Sequence, residues 1–253
     1  MRQIVLLSDY GNESIYIGIV KGVIHKITKN KNYIDLYHNV DKQNIVNAAF
    51  LLAKSYDKFA DNSVFCCLVD PEINTERSII IAKNSNQYFI APDYGLLSPI
   101  ISSNTQIYKL KTEVSDVPKE YAEDLIAYSA AELSINNTNV IGKEIQHKSL
   151  KYISVDAIEN SCEVHGQIVH IDSFGNIVTN IENSHLGNLK SLEVGNQIVV
   201  DKSGSYSEAN ENIIFAYPGS FNTIEIGMKN SSANNRMKLN IGNSVRLIKK
   251  RDT

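Results

Sequence analysis

The 253-residue chain has little of what usually assigns a protein quickly. Cysteine is scarce: Cys66, Cys67 and Cys162. The first two are adjacent in an apolar run, where side chains of a strand alternate between faces. This makes neither a disulfide framework nor a zinc pattern, and a reducing cytoplasm is the expected setting. Positive charge is not in excess: the net charge is −3, which argues against a general nucleic-acid or anionic-membrane binder. The basic stretch Lys249-Lys250-Arg251 reads as a solvated tail. No apolar run approaches the ~18 residues of a membrane span. The start, Met1 to Leu7, has too short an apolar core for a signal peptide and reads as a first strand. There is no G-x-G-x-x-G, no P-loop and no H-E-x-x-H, so neither dinucleotide, P-loop phosphate nor zincin chemistry is indicated. Ser98 and Ser129 sit in no nucleophile elbow. His165 and His170, five apart in a strand, face opposite sides and are poorly placed to share a metal.

What is present is patterned. The apolar fraction of 43% is ordinary for a packed core. Ile4–Leu7, Ile34–His38 and Val64–Val69 read as strands, and Ser78–Ala82 with Tyr88–Ala91 as a hairpin pair. Between them lie helix-like segments. Glu13–Ile27 carries Ile15, Ile19, Val20, Val23, Ile24 and Ile27 on a 3.6 period, and Ile45–Phe59 carries Val46, Ala49, Leu52, Ala53 and Tyr56. Leu96–Ile101 and Lys119–Leu133 also read as helical. The alternation implies an α/β domain over residues 1–150, a Rossmann-like three-layer sheet. After a joint at 151–161 the pattern changes. Val164–Ile171, Ile177–Ile181, Ser191–Val200, Ile213–Tyr217, Thr223–Met228 and Ser244–Ile248 are short, alternating segments broken by Gly, Asn and Ser. They imply an all-β, barrel-like domain over 162–253, without a convincing helix.

Acidic residues mark the expected strand ends: Asp9, Asp70, Asp93 and Asp172. In an open α/β sheet the crevice beyond the carboxyl strand ends is the usual ligand site. Asp70 and Arg77 flank one short polar loop, either as a site pair or as a turn cap and its neutralising partner. Asp9 and Asp93 each begin an Asp-Tyr-Gly, so each reads equally as a turn residue. Asp9, after a buried first strand, also suits a ribose diol. In Asp172-Ser173-Phe174-Gly175-Asn176, Phe174 is placed to stack on a base and Asn176 to pair with its edge. The same pentapeptide is a good β-turn.

In series, these segments resemble one family. Leu7-Ser8-Asp9-Tyr10-Gly11, then Tyr16-Ile17-Gly18 and Lys21-Gly22-Val23-Ile24, resembles "LTDFG…YVG…KGVI". Ile34–His38 resembles "IIDITH", Val69–Arg77 "VDPGVGTxR" and Ala91–Leu97 "APDNGLL". Asp172–Ile181 resembles "DxFGNxxTNI", and Ile224-Glu225-Ile226 resembles "LEIAVN". The chain is thereby similar to the S-adenosylmethionine hydroxide adenosyltransferases, relatives of the fluorinase and chlorinase. The resemblance implies an α/β domain followed by a β-barrel. It also implies a homotrimer, with a nucleoside substrate held at subunit interfaces. The implied reaction is attack of water or hydroxide at ribose C5′, giving adenosine and L-methionine with no metal or other cofactor. By motif position Asp9 would hold the ribose, and Phe174 and Asn176 the adenine, with Ser220. Asp172, which opens that motif, and Glu225, in the strand following the site, would complete the substrate-binding set. Asp70 and Arg77 would be two members of an Asp-Arg-His set that positions water.

The third member departs from the pattern. Where the family has "TFHGRDIFAPVAA", this chain has Lys119 to Ala131, so the His falls on Tyr121 and the Arg on Glu123. Asp124 is retained; the Asn of "PDNG" is Tyr94, and "GVG" is Glu72-Ile73-Asn74. The adenosine end is kept and the reacting end altered. A sulfonium is already a good leaving group, so the protein must mainly hold a water in line with C5′. A positioned acid–base group typically contributes ~10²–10⁴ in rate, so losing the His slows the reaction without removing binding. A carboxylate beside a guanidinium orients water better than it deprotonates it. Tyr121 offers a hydrogen-bond donor as the third catalytic group, but a phenol, with an ordinary pKa of about 10, is a poor base at neutral pH. Glu120, Glu123 or Asp124 offers a different partner. Three readings stand: a hydrolase, an adenosine or S-adenosylmethionine binder without turnover, and a halogenating transferase. The last is disfavoured because the halogenating relatives have Tyr at the position of Asp70, where a carboxylate would repel halide.

Overall fold

In a computed structural model, residues 1–29, 32–70, 78–111 and 122–250 are described. The chain forms two compact units, Met1–Ser154 and Val155–Thr253. The first runs β1 (Ile4–Ser8), α1 (Ile15–Thr28), β2 (Tyr33–Tyr37), α2 (Ile45–Ala53), β3 (Val64–Leu68), β4 (Ile79–Asn84), β5 (Gln87–Pro92), β6 (Gln106–Leu110), α3 (Ala122–Ser134) and β7 (Ile141–Glu144). Its mixed sheet has the order β2-β1-β3-β5-β4-β6-β7. The first four strands of that order are parallel, and β4, β6 and β7 join antiparallel.

Both faces of this sheet are covered, which is why β1 and β3 are continuously apolar. Ile4, Leu6, Val64, Cys66 and Leu68 pack into one core with Val20 and Ile24 of α1 and Leu125 and Ile126 of α3. Val5, Leu7, Phe65, Cys67 and Val69 pack into the other with Ala48 and Leu52 of α2. Cys66 and Cys67 thus lie on opposite faces, both free and buried. Because β1, β3 and β5 are parallel, their carboxyl ends share one edge. The segments beginning at Asp9, Asp70 and Asp93 all start there.

Several expectations need correction. On α1 the buried stripe is Ile17, Val20, Ile24 and Thr28, whereas Ile15 is 75% exposed and Ile19 44%. The apolar positions at the start of the helix lie one row off the face that meets the sheet. The helix expected to reach Phe59 stops at Ala53 and is followed by a single 3₁₀ turn, Tyr56–Lys58. Ser55 Oγ donates 2.7 Å to Leu51 O, a side-chain bond that competes with continuing the ladder. Leu96–Ile101 contains only a 3₁₀ turn, Ser98–Ile100. Strands β6 and β7 carry no clear sequence signal: β6 is partly exposed and β7 is four residues long.

The second unit runs β8 (Ile158–Glu159), β9 (Glu163–Ile171), β10 (Ile177–Glu182), β11 (Leu189–Val194), β12 (Gln197–Val199), β13 (Ile214–Pro218), β14 (Thr223–Met228), α4 (Ala233–Met237) and β15 (Ser244–Lys249). The antiparallel order is β12-β11-β15-β9-β10-β14-β13, with β8 on β9. The segment after β12 meets β13: Ala216 N donates to Asp201 O at 2.9 Å, and Ser203 N to Ala216 O at 2.9 Å. The sheet is therefore nearly closed and barrel-like around Ile168, Ile177, Leu192, Ile226 and Leu247. The expected strand Ser191–Val200 is two strands joined by the two-residue loop Gly195-Asn196, with Val194 opposite Gln197. The expectation of no helix here is also corrected by α4. Ser232 caps it, its Oγ accepting from Asn235 N at 3.0 Å. Five residues are too few to show a hydrophobic period.

Candidate active site

At the carboxyl edge of the first sheet, Asp9 follows β1 directly. Its Oδ2 accepts from Gln43 N at 2.8 Å, which ties it to the turn before α2. Burial pushes its carboxyl up, and the negative charge of Asp70 adds to this, against the opposing Gln43 hydrogen bond. Burial also raises the phenol of Tyr10, reinforced by Glu123, Asp9 and Asp70. Asp9, Tyr10, Asp70 and Glu123 therefore share one electrostatic neighbourhood. Two of these sit at the ends of β1 and β3, and Glu123 is in the first turn of α3. Among the replacements considered for the family His, Glu123 is thus within electrostatic reach of Tyr10, the residue after Asp9. Arg77 and Tyr121, like Glu120, lie outside the described residues. Asp93 has a local role: its Oδ1 accepts from Lys151 N at 3.1 Å, and Lys151 Nζ lies 3.9 Å from the centre of the Tyr94 ring.

In the second unit the Asp172–Asn176 turn joins β9 to β10. Asp172 Oδ1 accepts from Phe174 N (2.9 Å) and Asn176 N (2.8 Å), and its Oδ2 accepts from Asn176 Nδ2 (2.9 Å). The acid builds the turn and orients the amide in one stroke. Gly175 has φ +82°, and an added Cβ would overlap Ser232 Oγ, so the close approach of α4 requires glycine. The result is an unusual surface. Phe174 is 79% exposed, while Asn176 is buried with Nδ2 engaged and Oδ1 without a hydrogen-bond partner among the described residues. Asn176 Oδ1 faces Gly227, where a Cβ would lie 3.2 Å away.

Alongside, on β13 and β14, Tyr217 Oη donates to Glu225 Oε2 at 2.6 Å, and Ser220 N donates to Glu225 Oε1 at 3.2 Å. Burial and this acceptor raise the Tyr217 phenol. Both oxygens of Glu225 are thereby engaged, and it holds the turn that presents Ser220. Asn183 grips the same turn: its Nδ2 donates to Gly219 O (3.1 Å) and its Oδ1 accepts from Gly219 N (3.2 Å). Neither Asn183 nor Tyr217 stands out in the sequence. The Asn180-Ile181-Glu182-Asn183 stretch holds no signal beyond its polar ends, and Tyr217 reads as an ordinary strand residue.

The fold and these two clusters can be set beside known proteins. Residues 4–141 match the SAM hydroxide adenosyltransferase N-terminal domain, and residues 166–246 match the C-terminal domain. The chain belongs to the SAM hydroxide adenosyltransferase family. It is 30% identical to the (R)-S-adenosyl-L-methionine hydrolase of Methanocaldococcus jannaschii, over 71% of this chain and 66% of that one. It is 26% identical to the (R)-S-adenosyl-L-methionine hydrolase of Thermus thermophilus, over 98% and 100%. The crystal structure of an uncharacterized conserved protein from Thermotoga maritima superposes with a TM-score of 0.83, at 24% identity, covering 98% of this chain and 100% of that one. This last likeness speaks to fold alone.

Proposed function

We propose that this chain hydrolyses S-adenosyl-L-methionine to adenosine and L-methionine. In this reading a water oxygen forms a bond to ribose C5′ as the C5′–S bond breaks. The electron pair goes to sulfur, methionine leaves as a neutral thioether, and the attacking water gives up a proton. The observation that carries the nucleoside reading is the exposed ring of Phe174 beside Asn176, whose Oδ1 has no hydrogen-bond partner among the described residues. An acceptor of this kind is costly to leave empty, and the exocyclic amine of adenine supplies its donor. Phe174 stacks on the base, a contact worth about 1–3 kcal/mol in comparable sites. Membership of the family and the hydrolase relatives support the reaction.

In this reading Asp9 binds the ribose hydroxyls, Asp172 and Glu225 hold the two turns that shape the adenosine end, and Ser220 faces the substrate. Asp70 and Arg77 position the attacking water, with Tyr121 at the place of the family His. We read the first sheet as a Rossmann-like layer used without a dinucleotide. The protein acts without metal or other cofactor, as a homotrimer with sites at subunit interfaces, in the cytoplasm. The two buried free thiols suit that compartment.

The test is direct. Incubated with S-adenosyl-L-methionine, the purified protein should release adenosine and methionine, resolved by chromatography. Product no higher than with Asp70→Ala would sink the proposal.

A further inference from the structure

A chain of polar groups, buried at Ser8 and His38 and open to solvent at Asp35, lies behind Asp9 and is not used by the chemistry above. Ser8, the residue before Asp9, is 0% exposed, and His38 is 4% exposed. Ser8 Oγ and His38 Nδ1 are 2.8 Å apart. His38 Nε2 lies 3.0 Å from Asp35 Oδ1, close enough for an ion-pair contact. Asp35 Oδ2 in turn accepts from Lys21 Nζ at 2.7 Å. Burial alone would push the Asp35 carboxyl up, but Lys21 and His38 outweigh it and hold the carboxyl below its usual range. The carboxylate favours a proton on Nε2, which leaves Nδ1 to accept from the Ser8 hydroxyl. The Ser-His-Asp order suggests a nucleophile, but Ser8 is buried as a whole residue, backbone included, with its hydroxyl engaged by His38.

The same residues join two segments. Gly11 N donates to His38 O at 2.7 Å, and Val40 N donates to Ser8 O at 3.3 Å. Asn12 N donates to Asn39 Oδ1 at 3.1 Å, and Gln43 N donates to Asp9 Oδ2 at 2.8 Å. The stretch after β1 and the stretch after β2 are thus fastened at their roots by Ser8–His38 and at their tips by Gln43–Asp9. We infer that His38, acting through Ser8, is a positioning residue that sets where the Asp9 carboxylate stands. The assignment rests on the proposed role of Asp9 in holding ribose. A ribose contact is made before and during reaction alike, so loosening it weakens binding and spares the chemical step.

Two substitutions of similar size separate this from simple core packing. His38→Asn keeps an acceptor near the place of Nδ1 and so keeps Ser8 satisfied; His38→Gln reaches toward Asp35 and abandons Ser8. The first measurement is amide hydrogen exchange on the ligand-free protein. In His38→Gln and Ser8→Ala, the Gly11 and Gln43 amides should exchange about tenfold faster or more, with amides of β10 and β14 unchanged. In His38→Asn they should stay near wild type. The second measurement is steady-state kinetics. KM for S-adenosyl-L-methionine should rise about tenfold in His38→Gln and Ser8→Ala at nearly constant kcat, and recover in His38→Asn. Equal behaviour of the Asn and Gln variants, or a fall in kcat at constant KM, would overturn the inference. If Ser8→Ala does not fold, the Asn and Gln pair decides alone. If the wild type shows no turnover, the hydrolase proposal fails, and the exchange comparison still decides whether His38 fixes Asp9.

Discussion

The strand-end acids of the first unit and the Asp172–Asn176 turn of the second solve the same problem differently. Asp172 satisfies three donors within four residues of itself, so its geometry is written into one pentapeptide. Asp9 owes its state to residues far along the chain: Gln43 fixes one oxygen, burial by the surrounding layers raises its pKa, and Asp70 adds to the rise. A local turn comes pre-organised at little cost in loop entropy. A cluster assembled from strand ends can bring like charges together, because the buried sheet beneath holds them there. The adenosine end is therefore expected to tolerate changes elsewhere and to fail on changes within its own turn. The acidic edge is expected to show coupling between distant residues.

The largest effect should come from the acidic edge. Asp70→Ala should lower turnover about 10²–10⁴-fold, while adenosine affinity by calorimetry changes only a few-fold. An equal loss of binding would mean that Asp70 serves the adenosine end and would dissolve the contrast. Next comes the turn itself. Gly175→Ala meets a left-handed backbone, costing roughly 1–2 kcal/mol, and a collision with the α4 cap besides. For a unit of this size it should lower Tm by several degrees, about 4–8 °C per kcal/mol, as read by calorimetry. An unchanged Tm would show that the turn is not locked.

Asn176→Ala should weaken adenosine binding about 10–100-fold through loss of one buried hydrogen bond and its orienting partner. The wild type should also prefer adenosine to inosine, whose carbonyl opposes the Asn176 acceptor. Equal affinities would remove the proposed base contact. The smallest effect is the subtlest test of coupling. If ionised Asp9 holds ribose, adenosine affinity is lost as pH falls through its raised pKa, so the acid limb lies above the ordinary carboxylate value of about 3.9. Asp70→Asn removes a negative neighbour and should move that limb to lower pH. A limb that does not move would show that the two carboxylates are independent.

The path from sequence to structure followed the same division. β1 and β3 were readable because a strand covered on both faces must be apolar throughout. The turn at Asp172 was readable because an Asp, a Gly at φ +82° and an Asn carry their own geometry. Ile15 and Ile19 misled because a 3.6 period marks a stripe without saying which edge of it meets the sheet. β7 and α4 are too short for any period to show.

By itself the sequence settled the alternation of strands and helices, the change to short strands after the first unit, and the local turn that carries Phe174 and Asn176. These depend on neighbours a few residues away, where propensity and periodicity act. Tertiary structure alone decided that Ser8 meets His38, that Asp9 and Asp70 share one edge with Glu123 near Tyr10, and that Asn176 Oδ1 has no hydrogen-bond partner among the described residues. Those facts depend on which strands lie side by side and on what burial removes from water, and neither is a property of any short stretch of chain.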